Sequence, residues 1–236
     1  MLMREEIASS FYIEDHAVLV ALIVKSAGES GRKAVMKGIA AYGRERGLRG
    51  AARCLADGEP LSLKNYMLYG EWADPRGWSA SEVVALSPNY RTNMTRCGWC
   101  DTWKKYDLLE YGKAYCDCVD ENLVYGFNPT LAFRMGEVMA HGGTACEFDW
   151  LGFVPADAAE AEAMAARRAE LIPRVTRDFL YHCGHVFSTF GREIYLEFGL
   201  ERGREILGRA MAEYEGLFGR EKREAVEAEA RQNFLV

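Results

Sequence analysis

Between two long stretches of helical period, residues 95–151 change their hydrophobic period three times, from strand to helix to hairpin. A chain patterned this way must fit a small sheet and a helix among covering helices, which makes the expected fold class α+β. The predicted sheet is antiparallel, built from a strand over 82–96 and a hairpin over 130–151, and packs on a central helix over 108–127. A helical pair over 7–57 and helices over 157–236 flank it, giving one α+β domain over 1–236. The same run holds five of the seven cysteines and three of the five tryptophans, which makes it the stretch expected to carry a site.

On a helix over 108–127, Gly112, Cys116, Asp120, Leu123 and Phe127 recur at spacings that share one face. Asp120 is the only ionisable group on that face. An acid in apolar surroundings is either hydrogen-bonded to a nearby turn or raised in pKa toward proton transfer. Gly126-Phe127-Asn128-Pro129 stops the helix, because proline forces Asn128 into an extended conformation. A strand over 130–138, a turn at Gly142-Gly143 and a return strand over 144–151 put Cys146, Phe148 and Trp150 on one side and Glu147 and Asp149 on the other. Cys146 then packs in the core. Cys97 closes the strand before a short helix over 98–106, where the helix dipole favours a thiolate; it is either a nucleophile or a buried structural thiol. Cys97-x-x-Cys100 followed by Cys116-x-Cys118 has a zinc-like look, but two helical residues two apart cannot face one ion, so no metal site is expected.

In the flanks, a buried helix over 7–25 breaks at 27–31, with Ser30 as the cap of a second helix over 32–56. Arg44, Arg46 and Arg49 cluster on that helix; a solvated face is the ordinary meaning, and Arg44 or Arg46 would hold a carboxylate if turned to a pocket. A turn at 57–60, a short helix over 61–69 and an irregular stretch over 70–81 with Trp72 and Trp78 follow. After 151, an exposed helix over 156–170 is interrupted by Pro173. A long helix over 175–199 carries His182 and His185. Residues 202–217 then echo the second helix when Gly203 is aligned with Gly31, and a charged terminal helix over 220–236 frays or meets a partner.

The net charge of −6 without a basic cluster argues against nucleic acid. The longest apolar run, 17–24, is too short to span a membrane. An odd number of cysteines without a secretory signal points to thiols in a reducing cytoplasm.

The chain resembles the L-2-amino-thiazoline-4-carboxylic acid hydrolase family. The resemblance lies in the Cys97–Trp103 run, Gly112 with Tyr115-Cys116, Asp120, Gly126-Phe127-Asn128-Pro129, the strand from Gly143 through Cys146-Glu147-Phe148, and the helix carrying Ala41-Tyr42-Gly43-Arg44-Glu45-Arg46-Gly47. Gly98 and Thr144 depart from the family pattern. The resemblance implies hydrolysis of a C–N bond in a small cyclic amidine, a thiazoline carboxylate opened to an N-carbamoyl amino acid. For that chemistry Cys97 is the nucleophile candidate, Asp120 the general acid/base, His141 a reserve acid, and Asn128 a hydrogen-bond donor to the amidine. Cys116 and Cys146 line the pocket, and Arg44 or Arg46 takes the carboxylate. The scheme needs no metal or organic cofactor and takes its small-molecule substrate alone or as a homo-oligomer. The alternatives are a small-molecule-binding module without catalysis and a family member acting on another ring. An Asp120 engaged in a cap or turn would favour the module.

Overall fold

In this computed structural model, which describes residues 3–235, the first long element is a helix bent at a glycine. A short helix, α1 (Arg4–Ala8), precedes α2 (Ile13–Ala56). The helix expected over 7–25 therefore starts later. Residues 9–12 break it, and the Tyr12 N–H donates to Asp15 Oδ2 at 2.9 Å, which fastens the start of α2. The break expected at 27–31 is a bend, because Gly28 takes φ 63° and ψ −171°, a backbone open essentially to glycine alone, and the helix resumes without a Ser30 cap. Near the other end, α8 (Phe179–Phe218) bends at Gly199 with φ 74° and ψ 178°. The echo between the two segments thus has a counterpart in shape: each follows a glycine bend inside a continuous helix.

The chain divides into two compact units. The first takes residues up to Tyr42, Gly98–Val119 and the chain from Asp178 onward. It contains α1, the first part of α2, α4 (Gly98–Lys105), α5 (Leu109–Cys116), α8 and α9 (Arg220–Glu229). Its core includes Ala17–Ile23 of α2 with Trp103, Phe190, Ile194 and Tyr214. Gly112 lies against Trp103 so closely that a Cβ would meet the indole at 2.1 Å. The terminal helix α9 lies on α8, with Glu229 against Gly184 and Phe234 stacked on His185 at 4.7 Å.

The second unit takes Gly43–Cys97 and Asp120–Arg177. It holds the rest of α2, α3 (Leu63–Leu68), β1 (Ala80–Ala85), β2 (Tyr90–Arg96), most of α6 (Val119–Phe127), β3 (Arg134–Met135), a 3-10 turn (Met139–His141), β4 (Cys146–Trp150) and α7 (Ala158–Val175). The four strands form an antiparallel sheet in the order β1-β2-β4-β3. Tyr90 pairs with Trp150 and Met94 with Cys146. The fold class is therefore α+β. The face alternation of β4 is as expected: Cys146 is buried, Glu147 is exposed, and Phe148 and Trp150 stack on Phe133.

Four expected elements are corrected. The strand over 82–96 is a hairpin, turned at the Ser87-Pro88-Asn89 step, where proline ends strand pairing. The strand over 130–138 is regular only at Arg134–Met135, with backbone hydrogen bonds to Glu147 continuing at Gly136 and Glu137. The interruption expected at Pro173 does not occur; α7 runs on to Val175, because a proline in the last turn forfeits little helix beyond it. The central helix over 108–127 is two helices separated at Asp117 and Cys118. The sheet therefore has no single long helix to pack on. The same break removes the helical geometry behind the argument against a shared ion at Cys116 and Cys118.

In the second unit, α2 and α6 cross backbone to backbone. A Cβ on Gly47 would stand 2.2 Å from the Leu123 carbonyl oxygen, and one on Gly126 would stand 2.2 Å from that of Arg44. Only hydrogen fits at either position. Beside the crossing lies a core of Ala51, Cys54, Leu68, Phe127, Leu171 and Val175. Gly47→Ala and Gly126→Ala are each expected to destabilise the protein by about 3 kcal/mol, since backbone rather than a flexible side chain must yield. Gly208→Ala, where a Cβ meets open space, is expected to be neutral or stabilising by up to about 1 kcal/mol. Denaturant unfolding of the three variants compares them directly.

Candidate active site

The crossing of α2 and α6 opens onto a cavity of about 350 Å³ within the second unit. From α2 it receives Arg46, Gly47 and Gly50; from α3, Tyr66; from the loop that follows, Glu71 and Trp72. The sheet contributes Met94 and Trp150, and α6 contributes Asp120, Leu123 and Phe127. The walls are aromatic. Tyr66 meets Phe127 edge-on at 5.7 Å and Trp150 at 5.8 Å.

One side is cationic. Arg46, Arg49 and Arg53 follow one another at helical spacing and share a face. They converge on Glu71, whose side chain is 1% exposed. Arg49 binds it through two hydrogen bonds of 2.8 Å, Arg53 through one of 2.8 Å, and the Arg46 Nε lies 3.6 Å away. Burial by itself would raise the Glu71 carboxyl. The Arg49 hydrogen bonds and the charges of Arg49, Arg46 and Arg53 overcome it and hold the group at about 2. Three guanidinium groups thus surround one carboxylate. Arg46 is the member of the trio that lines the cavity, its guanidinium 3.8 Å above the Trp72 ring. Trp72 is in turn held at its carbonyl by Arg168 Nη2 at 2.6 Å. The arginine face is therefore buried at Arg46 and Arg49 and not solvated.

The other side carries Asp120, half-buried in the first turn of α6. Burial pushes its carboxyl up to about 6, and Arg46 pulls only weakly in the opposite direction. Among the described residues no hydrogen bond or ion pair to Asp120 is formed, so it is not consumed by a cap or turn. A carboxylate that titrates near neutrality beside a fixed cation can take a proton from water and return it.

Of the residues singled out from the sequence, the cavity gathers Asp120 and Arg46. Arg44 points its Nε at Asn122 Oδ1, 2.7 Å away, and its guanidinium lies over Tyr125. Asn128 builds the turn after α6: its Nδ2 donates to the Leu61 carbonyl at 2.8 Å, and its Oδ1 accepts from the Thr130 N–H and hydroxyl. Cys97 is buried and is not a lining residue of the cavity. Cys146 is buried in β4, where its sulfur accepts from the Met139 N–H at 3.4 Å. His141 is exposed at the end of the 3-10 turn. Cys116 is half-buried at the end of α5, in the first unit. None of the seven cysteines is in a disulfide. Sequence reasoning missed Tyr66 and Glu71 as site residues. The i, i+3, i+7 spacing of Arg46, Arg49 and Arg53 was a usable signal for a shared buried acid.

A second polar cluster sits in the first unit, fully enclosed. His16, His182 and His185 are completely buried. The Trp99 indole N–H donates to His16 Nδ1 at 3.0 Å, and an indole can only donate. His16 is therefore neutral with its hydrogen on Nε2, which it gives to the Tyr42 hydroxyl at 3.0 Å; that hydroxyl is 3.3 Å from His182 Nδ1. This network ties α2, α4 and α8 together.

Two stability measurements follow. With its pKa raised above the unfolded value of 3.8, Asp120 opposes folding when ionised above about pH 6, and the cost is relieved as pH falls toward 4. Asp120→Asn is therefore expected to stabilise the protein by about 1–2 kcal/mol at pH 8, with the gain shrinking at pH 4. Glu71, with its pKa depressed, stabilises fully above its unfolded value of 4.5 and loses that contribution as pH falls through about 2. Glu71→Gln strands buried guanidinium groups and is expected to cost about 3–5 kcal/mol at pH 7, read by denaturant unfolding.

A model of the L-2-amino-thiazoline-4-carboxylic acid hydrolase family matches residues 5–150. No curated protein and no solved structure matches the chain. The matched stretch holds every residue that lines the cavity, from Arg46 to Trp150. It covers more than half of the 236 residues, and the chain belongs to the L-2-amino-thiazoline-4-carboxylic acid hydrolase family.

Proposed function

We propose that this protein hydrolyses a small, planar cyclic amidine bearing a carboxylate, a 2-amino-thiazoline carboxylate or a close relative, and opens the ring to an N-carbamoyl amino acid. The observation that carries this reading is the placement of Asp120, raised to about 6, in the same aromatic-walled cavity as the cation Arg46. The Arg46 guanidinium, which lines the cavity, attracts the substrate carboxylate. Tyr66, Trp72 and Trp150 offer flat apolar surfaces to the ring. Asp120 draws a proton from water as its oxygen bonds to the ring carbon between nitrogen and sulfur.

The product decides which bond breaks. An N-carbamoyl amino acid keeps both carbon–nitrogen bonds, so the ring opens at carbon–sulfur and a thiol departs. The C–N scission expected from the resemblance is replaced on this balance. Water is the nucleophile favoured here over Cys97, since Asp120 lines the cavity and Cys97 does not.

Thiol release from synthetic 2-amino-thiazoline-4-carboxylate tests the reading. The rate is expected to rise with pH along a limb near 6, because the ionised Asp120 is the active form. Asp120→Asn is expected to lower kcat by about 10²–10⁴-fold. Arg46→Ala is expected to act mainly on KM. Cys97→Ala is expected to keep its activity; a covalent adduct on Cys97 during turnover overturns the water mechanism.

A further inference from the structure

Hydrolysis by the route above moves two protons, and a single carboxylate leaves one of them without a carrier. One proton must reach the ring nitrogen as water adds to the carbon, and another must reach sulfur as the ring opens. The cavity-lining side chains that bear a proton able to move are few. Glu71 is held ionised by three arginines. The Tyr69 hydroxyl is donated to Asp57 Oδ2 at 2.7 Å. Arg46 does not give up its proton. Tyr66 remains. Its ring is fixed between Phe127 and Trp150, both of which line the same cavity, and its hydroxyl makes no hydrogen bond to a described residue.

We propose that Tyr66 is the second catalytic residue of this site, the acid that protonates the ring nitrogen; this rests on the reading of the cavity as a hydrolase site. As the water oxygen bonds to carbon, Asp120 takes one water proton. The electron pair of the C=N bond moves to nitrogen, which takes the phenol proton of Tyr66. The oxygen then closes to a carbonyl, the C–S bond breaks toward sulfur, and sulfur takes the proton held by Asp120. The remaining O–H proton returns to the Tyr66 oxygen. Nitrogen and sulfur each gain one hydrogen, both from the water, and both side chains end as they began. The environment divides the roles: burial and then the Asp120 charge push the Tyr66 hydroxyl up, with Arg46 opposing, so it stays protonated where Asp120 is ionised.

Steady-state thiol release with 2-amino-thiazoline-4-carboxylate, run in parallel on wild type, Tyr66→Phe and Asp120→Asn, tests the assignment. Tyr66→Phe keeps the ring and its aromatic contacts. It is expected to lower kcat by about 10²-fold or more, with KM within about threefold and an unchanged melting temperature. A ring-fluorinated tyrosine at position 66, with a more acidic phenol, is expected to keep the fold and introduce an alkaline limb in kcat absent from wild type. Full kcat in Tyr66→Phe beside an inactive Asp120→Asn overturns the role of Tyr66 and leaves the hydrolase reading standing. A change in KM alone makes Tyr66 a binding group and overturns the proposal. No turnover of the ring by wild type overturns both.

Discussion

Two helices of the second unit touch backbone to backbone at Gly47 and Gly126, and the candidate site exists because they do. A side chain at either position would collide with a carbonyl oxygen at 2.2 Å. The contact sets Arg46, next to Gly47 on α2, and Asp120, on α6, into the lining of one cavity. Phe127, one residue beyond Gly126, reaches both that lining and the apolar core beside it. Packing and chemistry thus share a single geometric requirement. The glycines of the Tyr-Gly-Arg helix and of the Gly-Phe-Asn-Pro stop meet each other, which gives two separated motifs one physical reason.

Charge is distributed unevenly around that contact. Glu71 is surrounded by Arg46, Arg49 and Arg53, and its depressed pKa reflects an acid held for structure. Asp120 has the opposite environment, half-buried, remote from compensating bonds and raised toward neutrality. Two carboxyl groups lining one cavity are driven apart by their surroundings, one fixed as an anion and the other poised to exchange a proton. An acid kept in this state is a cost to folding wherever it is ionised.

The cysteines, conspicuous along the chain, turn out to matter less for this cavity than the arginines. Cys97 and Cys146 are buried and do not line the cavity, and Cys116 belongs to the other unit. The apparent face linking Gly112 to Asp120 assumed an uninterrupted helix. At Asp117 and Cys118 that helix stops, and Gly112 serves the Trp103 contact of the first unit instead. Local periodicity does not by itself assign residues on either side of such a break to a common surface.

Several properties were legible in the residues alone: the α+β class, the helical flanks, an interruption near Gly28, the stop at Phe127, the alternating faces of β4, and the family itself, through short motifs. Local steric rules and two- or four-residue periods decide these, so a one-dimensional reading reaches them. The enclosure of the arginine face by Glu71 and the partnership of Tyr66 with the cavity were decided by tertiary structure. Each depends on which distant segment comes to lie against a given face, and that is set by close packing between elements far apart in the chain, which no local pattern records.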